Sequence, residues 1–258
     1  MTPAGQEGLA ALLAEPSRAV VALDYDGTLA PVVPHPSDAV PAPGAVAALA
    51  ALGPRLRTLA LVTGRPAQDV VELAGLHDVP GLVVLGQYGA QRWDGGALTS
   101  APALPGVTAA GSELLALAER EGAWVEDKQL ALVLHTRRSP DPDGALARLT
   151  GPVTALAEVH GLEVHPGRYV LELRPPGFDK AGALLSLCDP APSAVLFAGD
   201  DVGDLSAFDA VQELRHRGVP GLLVCSASDE GPAALRERAD VVVDGPAGVV
   251  ALLASLLP

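Results

Sequence analysis

Asp24-Tyr25-Asp26-Gly27-Thr28 follows directly on an apolar run, Ala19-Val20-Val21-Ala22-Leu23. Gly199-Asp200-Asp201-Val202-Gly203-Asp204 follows another such run, Thr63-Gly64-Arg65 follows a third, and Lys180 opens a helical stretch shortly before Ala194–Ala198. Asp24, Asp26 and Asp200 would put three acidic side chains at one edge, and like charges that close repel. The cluster is tolerable only with a cation present. All-oxygen ligation that leaves room for water and phosphate favours Mg²⁺. A carboxylate held by such an ion can attack phosphorus and form an aspartyl-phosphate. A second carboxylate two residues on can protonate the leaving oxygen and then activate water. A hydroxyl at Thr63 and nearby backbone N–H groups could hold the phosphoryl oxygens, and a lysine neutralises the charge that remains. Taken singly, each feature has an ordinary reading: a turn for the aspartates and glycine, an N-cap for Thr63, a solvated helix residue for Lys180, a loop for Gly199-Asp200-Asp201. Their occurrence in order, each at a strand end or on the preceding helix, is what the ordinary readings do not explain.

The elements that must position them are legible as alternation. Apolar runs of strand length at 19–23, 58–62, 82–85, 194–198, 219–224 and 240–243 suit strands buried on both faces of a parallel sheet. Helical segments lie at about 43–53, 66–75, 179–188, 204–217 and 246–257, which makes a doubly wound, Rossmann-like α/β sheet. In such sheets ligands bind beyond the carboxyl ends of the strands, where the residues above fall. The middle of the chain reads differently. A helix at 107–121, strands at 123–127 and 130–137, a helix at about 144–160 and strands at 162–165 and 168–174 give α-β-β-α-β-β, an antiparallel sheet with helices on one face. The expected division is a core of residues 1–104 plus 178–258 and an inserted α+β domain of 105–177. Hinges are expected between Pro102 and Pro105 and between Pro175 and Gly177.

Composition narrows the possibilities. The chain has 258 residues and a formal net charge of −14, with a pI near 4.7. This argues against a nucleic-acid binder and against an anionic-membrane binder. Cys188 and Cys225 read as buried free thiols. No signal peptide or membrane-length apolar run is apparent, so a cytoplasmic protein is expected. Of the 17 cationic residues only two, Lys128 and Lys180, are lysines.

As a set, Asp24-Tyr25-Asp26-Gly27-Thr28-Leu29, Thr63, Lys180 and Gly199-Asp200-Asp201 resemble the four motifs of the haloacid dehalogenase superfamily of phosphatases. The resemblance implies Asp24 as nucleophile, Asp26 as general acid/base, Thr63 as phosphoryl ligand and Lys180 as charge neutraliser. Mg²⁺ would be held by the Asp24 side chain, the Asp26 backbone carbonyl and Asp200, with Asp201 or Asp204 as outer partner.

The inserted segment adds to this. Period two places Glu172 with Arg174, His135 with Arg137 and Glu126 with Lys128. Such pairs can satisfy sugar hydroxyls, or can be cross-strand ion pairs on a solvated face. The wording of these strands, from Val125-Glu126-Asp127-Lys128 through His135-Thr136-Arg137 to Glu172-Leu173-Arg174-Pro175, resembles the trehalose-6-phosphate phosphatases. By that resemblance the insert is a cap, and Glu126, Lys128, His135, Arg137, Glu172 and Arg174 are sugar contacts, with Gly64 and Arg65 also meeting substrate. The expected activity is Mg²⁺-dependent hydrolysis of trehalose 6-phosphate, the last step of trehalose biosynthesis, by a monomer that could pair functionally with a trehalose-6-phosphate synthase. The alternatives are a sucrose-phosphate or glycosylglycerate-phosphate phosphatase on the same core, or a non-catalytic sugar-phosphate sensor. Many family members carry His before the Gly where this chain has Tyr88-Gly89.

Overall fold

Every residue of the first apolar run is buried, and its side chains alternate between two separate cores. Val21 and Leu23 join one, Val20 and Ala22 the other. A strand can do this only with helices on both faces, which is why it reads as a continuous apolar run. The structure, a computed structural model, describes residues 1–33, 35–102, 104–167, 169–228 and 231–257. In chain order the elements are α1 (Pro3–Ala14), β1 (Val20–Leu23), α2 (Ala45–Leu52), β2 (Thr58–Val62), α3 (Ala67–Ala74), β3 (Leu82–Gly86), β4 (Gln91–Asp94) and β5 (Ala97–Ser100). Then come α4 (Pro105–Arg120), β6 (Trp124–Asp127), β7 (Leu132–His135), α5 (Pro142–Val159), β8 (Glu163–Gly167) and β9 (Val170–Arg174). The chain ends with α6 (Lys180–Ser186), β10 (Val195–Gly199), α7 (Leu205–His216), β11 (Gly221–Ala227), α8 (Ala233–Arg238), β12 (Val241–Asp244) and α9 (Gly245–Ser255).

Contacts divide the chain into two compact units, Met1–Ser100 with Asp179–Pro258, and Ala101–Phe178. The larger unit holds an eight-stranded sheet in the order β12-β11-β10-β1-β2-β3-β4-β5. Its pairings are parallel from β12 to β3 and antiparallel from β3 to β5. Side chains of α1, α2, α3 and α9, including Leu12, Leu49, Val70 and Leu253, fill the core on one face. Those of α6, α7 and α8, including Leu184, Phe208 and Leu235, fill the other. The six parallel strands match the sequence expectation, and the fold is the expected doubly wound one.

Two elements depart from that expectation. The β4–β5 hairpin extends the sheet as antiparallel strands; β4 alternates buried and exposed, and all four residues of β5 are exposed. Helix α1 escapes notice because it packs through glycine. A Cβ on Gly8 would lie 1.9 Å from the Gly221 carbonyl oxygen, so the helix meets β11 backbone to backbone.

The smaller unit is a four-stranded antiparallel sheet, β6-β7-β9-β8. One face, with Leu132, Leu134, Leu171 and Leu173, packs on Val107, Leu114, Leu149 and Val153 of α4 and α5. The strand expected over 130–137 is shorter. Gln129 takes a left-handed φ of 73°, and β7 spans only Leu132–His135, so Arg137 lies beyond it. The strand expected from 168 begins on Arg168, which lies outside the described residues; β9 starts at Val170. Both cysteines are free and buried, as expected. Among the described residues no helix is long and apolar enough to cross a membrane.

Candidate active site

β1 and β10 lie side by side in parallel, with Leu23 opposite Ala198. The residues that follow them therefore emerge together. Asp24 is tied to the sheet by its N–H, which donates to the Ala198 carbonyl at 2.9 Å. Across from it, Gly199 leads into Asp200. A Cβ on Gly199 would lie 2.4 Å from the Asp204 carboxyl carbon, so only glycine lets the chain turn back that tightly. Carboxylate oxygens of Asp24, Asp200 and Asp204 all lie within 4.8 Å of one another, and all three residues are buried.

Lys180, the first residue of α6, reaches into this cluster. Its Nζ lies 2.8 Å from Asp24 Oδ1 and 2.7 Å from Asp204 Oδ1. The second oxygen of Asp204 accepts the backbone N–H groups of Asp200 at 3.0 Å and Asp201 at 3.1 Å. Asp201 is exposed, and its Oδ1 caps the short turn after it by accepting the Gly203 N–H at 2.7 Å. Of the two candidates for an outer partner, Asp204 is thus the one inside the cluster. One ammonium cannot balance three buried carboxylates. Burial, reinforced by Asp204 and Asp201, pushes Asp200 up to about 8. Burial likewise holds Asp24 well above the usual carboxylate range despite Lys180. Burial alone would favour the neutral amine of Lys180, but Asp204 and Asp24 outweigh it and hold the ammonium well above its ordinary value. Asp200 Oδ1 is buried and has no hydrogen-bond partner. An orphaned buried carboxylate oxygen beside two more carboxylates is the donor set a hard divalent cation takes, so these residues fit Mg²⁺.

Asp26 departs from the expected trio of Asp24, Asp26 and Asp200. Its carboxylate is turned to Arg65, which grips both oxygens through Nε and Nη2, each at 2.7 Å. The remaining Arg65 amine donates to the Pro36 carbonyl at 2.9 Å, and the guanidinium lies 5.6 Å from the Tyr25 ring centroid. The side chain expected to meet substrate is therefore committed to the expected acid/base. Tyr25 is fully buried and anchors the loop by donating to the Ala39 carbonyl at 2.6 Å.

Thr63, at the end of β2, is 1% exposed. Its Oγ1 accepts the Arg65 N–H at 3.1 Å, bending the chain so that Gly64 lies at the turn. A Cβ on Gly64 would lie 2.6 Å from the Tyr88 hydroxyl, so a side chain there would have to displace the tip of Tyr88. Tyr88 belongs to an elbow in which Gln87 and Tyr88 both take left-handed φ, 47° and 58°. Two backbone bonds lace this elbow to the Thr63 turn, Tyr88 N–H to Thr63 O and Gln87 N–H to Arg65 O, both 2.9 Å. Non-glycine residues hold such a conformation only where the surroundings fix it.

In the smaller unit, the sheet face opposite the helices carries the expected polar residues in pairs. Lys128 Nζ lies 3.2 Å from Glu172 Oε1, and Arg174 3.9 Å from Glu172 Oε2. His135 Nε2 lies 2.9 Å from Glu126 Oε2. Arg137 does not join this face through a strand; its guanidinium stands 5.2 Å from the Tyr169 ring centroid. Sequence reasoning missed Trp124, whose ring stacks on His135 with centroids 4.0 Å apart and planes within 4°. It also missed Ser226, at the end of β11, whose hydroxyl donates to the Gly27 carbonyl at 2.6 Å. The apolar run read from the sequence stops at Val224, whereas β11 continues through Ser226 to Ala227, which is why this residue was passed over.

A family profile described as trehalose-phosphatase matches residues 22–240. Trehalose-phosphate phosphatases of Mycobacterium tuberculosis strain H37Rv and Mycobacterium marinum are each 35% identical to the chain, over 89% and 75% of it. The matches cover 59% and 52% of those proteins, so the chain spans little more than half the length of these relatives. Among solved structures, the C-terminal domain of the Candida albicans trehalose-6-phosphate phosphatase superposes with a TM-score of 0.79 at 21% identity, covering 96% of this chain and 94% of that one. A haloacid dehalogenase-like hydrolase from Bacteroides thetaiotaomicron gives 0.68 at 18% identity, covering 93% and 99%.

Proposed function

The chain belongs to the trehalose-phosphatase family, and from that premise we propose that it hydrolyses trehalose 6-phosphate to trehalose and inorganic phosphate through an aspartyl-phosphate on Asp24. The observation that carries the reading is the Lys180 ammonium bonded at once to Asp24 and Asp204, beside the orphaned oxygen of Asp200.

In the first half-reaction an Asp24 carboxylate oxygen attacks phosphorus. The ester P–O bond breaks, and the departing sugar oxygen takes a proton from Asp26. In the second, Asp26 accepts a proton from water as that water attacks the phosphorus of the aspartyl-phosphate, and the P–O bond to Asp24 breaks. Asp26 must leave its bidentate hold on Arg65, at least in part, to donate in the first step. The Thr63 hydroxyl and the Gly64 N–H would hold phosphoryl oxygens while Lys180 keeps Asp24 oriented. Asp24, Asp200 and the Asp26 carbonyl would hold Mg²⁺, with Asp204 outside them; when bound, the ion neutralises the charge that builds on the phosphoryl oxygens.

For the sugar, Glu126, Lys128, His135, Arg137, Glu172 and Arg174 offer alternating donors and acceptors, the chemistry a hydroxyl-rich ligand requires. Glu172 and Arg174 are 6% and 8% exposed, so their groups are already partly desolvated. The reading is tested by following trehalose and phosphate release from trehalose 6-phosphate with and without Mg²⁺. A panel of sucrose, glycosylglycerate and glucose phosphates is run beside it. Equal rates on glucose 6-phosphate and trehalose 6-phosphate would sink the specific claim.

A further inference from the structure

β11 lies next to β10, with Cys225 opposite Gly199. One residue further along, Ser226 comes level with Asp200. β11 does not border β1, because β10 lies between them. Yet the Ser226 hydroxyl donates to the carbonyl of Gly27, in the loop that follows β1, at 2.6 Å. The bond therefore reaches past the end of β10 and ties the first loop to a strand two places away. Ser226 is 1% exposed, so a hydroxyl there has to find an acceptor within the protein.

Gly27 is held from several sides. Its N–H donates to the Ala30 carbonyl at 2.7 Å. Its φ of +75° suits glycine, and a Cβ on it would lie 1.9 Å from Asp200 Oδ2. The backbone that carries Asp24 and Asp26 thus rests directly on the Asp200 carboxylate. Ser226 fixes the carbonyl of the residue that makes that contact. Asp200 Oδ1, the other oxygen of that carboxylate, is the buried one with no partner.

We propose that Ser226 is a positioning residue for the divalent-cation site, its hydroxyl setting how closely the Asp24 loop sits against Asp200. The proposal rests on the cation-dependent reading above. Ser226 touches neither cation nor substrate; it acts through Gly27. Losing one such hydrogen bond loosens the seating of the loop, and the cation ligands on either side of Gly27 are no longer held at a fixed separation.

The test uses the full chain and Mn²⁺ as the probe, with affinity measured without substrate by electron paramagnetic resonance. Ser226→Ala is expected to bind Mn²⁺ about three- to tenfold more weakly, the range one lost hydrogen bond supports. It should keep its thermal midpoint within a few degrees and lower kcat with KM nearly unchanged. Ser226→Cys, which keeps a donor of weaker strength on a slightly larger atom, should fall between the two, and it replaces the alanine variant if that one does not fold. A purely structural role would lower the thermal midpoint and leave Mn²⁺ affinity alone. Wild-type affinity in a folded Ser226→Ala, while Asp200→Asn loses binding, overturns the role of Ser226 alone. Undiminished binding in Asp200→Asn overturns the cation reading, and this proposal with it.

Discussion

Arg65 holds both carboxylate oxygens of Asp26 at 2.7 Å, a two-point grip between an arginine expected to bind substrate and an aspartate expected to move protons. A guanidinium fork fits a carboxylate in one plane, which an ammonium cannot reproduce. Arg65→Lys is expected to lower kcat about tenfold with little change in KM. A variant that instead raised KM at constant kcat would assign Arg65 to substrate binding, as the sequence alone suggests.

Asp24→Asn keeps the shape of the side chain and removes the charge that the proposed route uses to attack phosphorus. Phosphate release should fall by at least about a thousandfold, the scale seen when a nucleophile is removed. Binding of trehalose 6-phosphate, followed by calorimetry, should remain detectable. Turnover near the wild-type rate would rule out the aspartyl-phosphate route.

Stability of the cation-free chain should depend on pH in a specific direction. Asp200 is pushed up to about 8 by burial and by Asp204 and Asp201, whereas in the unfolded chain it titrates near 4. The folded state therefore binds the extra proton between these values, and stability falls as pH rises through that window. Bound Mg²⁺ would take over the role of the proton. The gain in thermal midpoint on adding Mg²⁺ should be larger at pH 8 than at pH 5, by on the order of several degrees. An equal gain at both values would contradict a protonated Asp200 in the cation-free chain.

Lys128 and Glu172 are paired at 3.2 Å on the face of the smaller sheet opposite its helices. Glu172→Gln and Lys128→Met are each expected to raise KM for trehalose 6-phosphate about ten- to a hundredfold, the cost of a charged hydrogen bond. Hydrolysis of p-nitrophenyl phosphate, which has no sugar, should change by less than about threefold. Parallel loss on both substrates would mean that the pair supports the fold rather than the ligand.

The parallel strands and the residues at their ends were legible because strands buried on both faces leave an unbroken apolar run, and the run ends where the polar residue begins. The third member of the carboxylate cluster was legible only as a choice between Asp201 and Asp204 for an outer partner of the cation. Asp26 follows Asp24 by two residues, which suggests one edge, but the loop turns its side chain to Arg65. Asp204 is four residues past Asp200, and the short turn over Val202–Asp204 brings it back beneath the Asp200 N–H. Helix α1 and the β4–β5 hairpin carry too little apolar pattern to register, one because glycines face the sheet and the other because it lies at an exposed edge. Trp124 and Ser226 act through partners distant in the chain.

Both lysines of the chain lie at the candidate site residues, with side chains 16% exposed at Lys128 and 6% at Lys180. Every other cationic side chain in that count is an arginine, whose guanidinium amine-directed reagents ignore, which leaves the α-amino group as the competing amine. An acylating label applied to the folded protein would therefore meet almost no competing surface amines, and its incorporation would read out ligand protection at Lys128 and unfolding at Lys180. For the same reason, coupling this protein to a support through lysine would attach it by its candidate site residues.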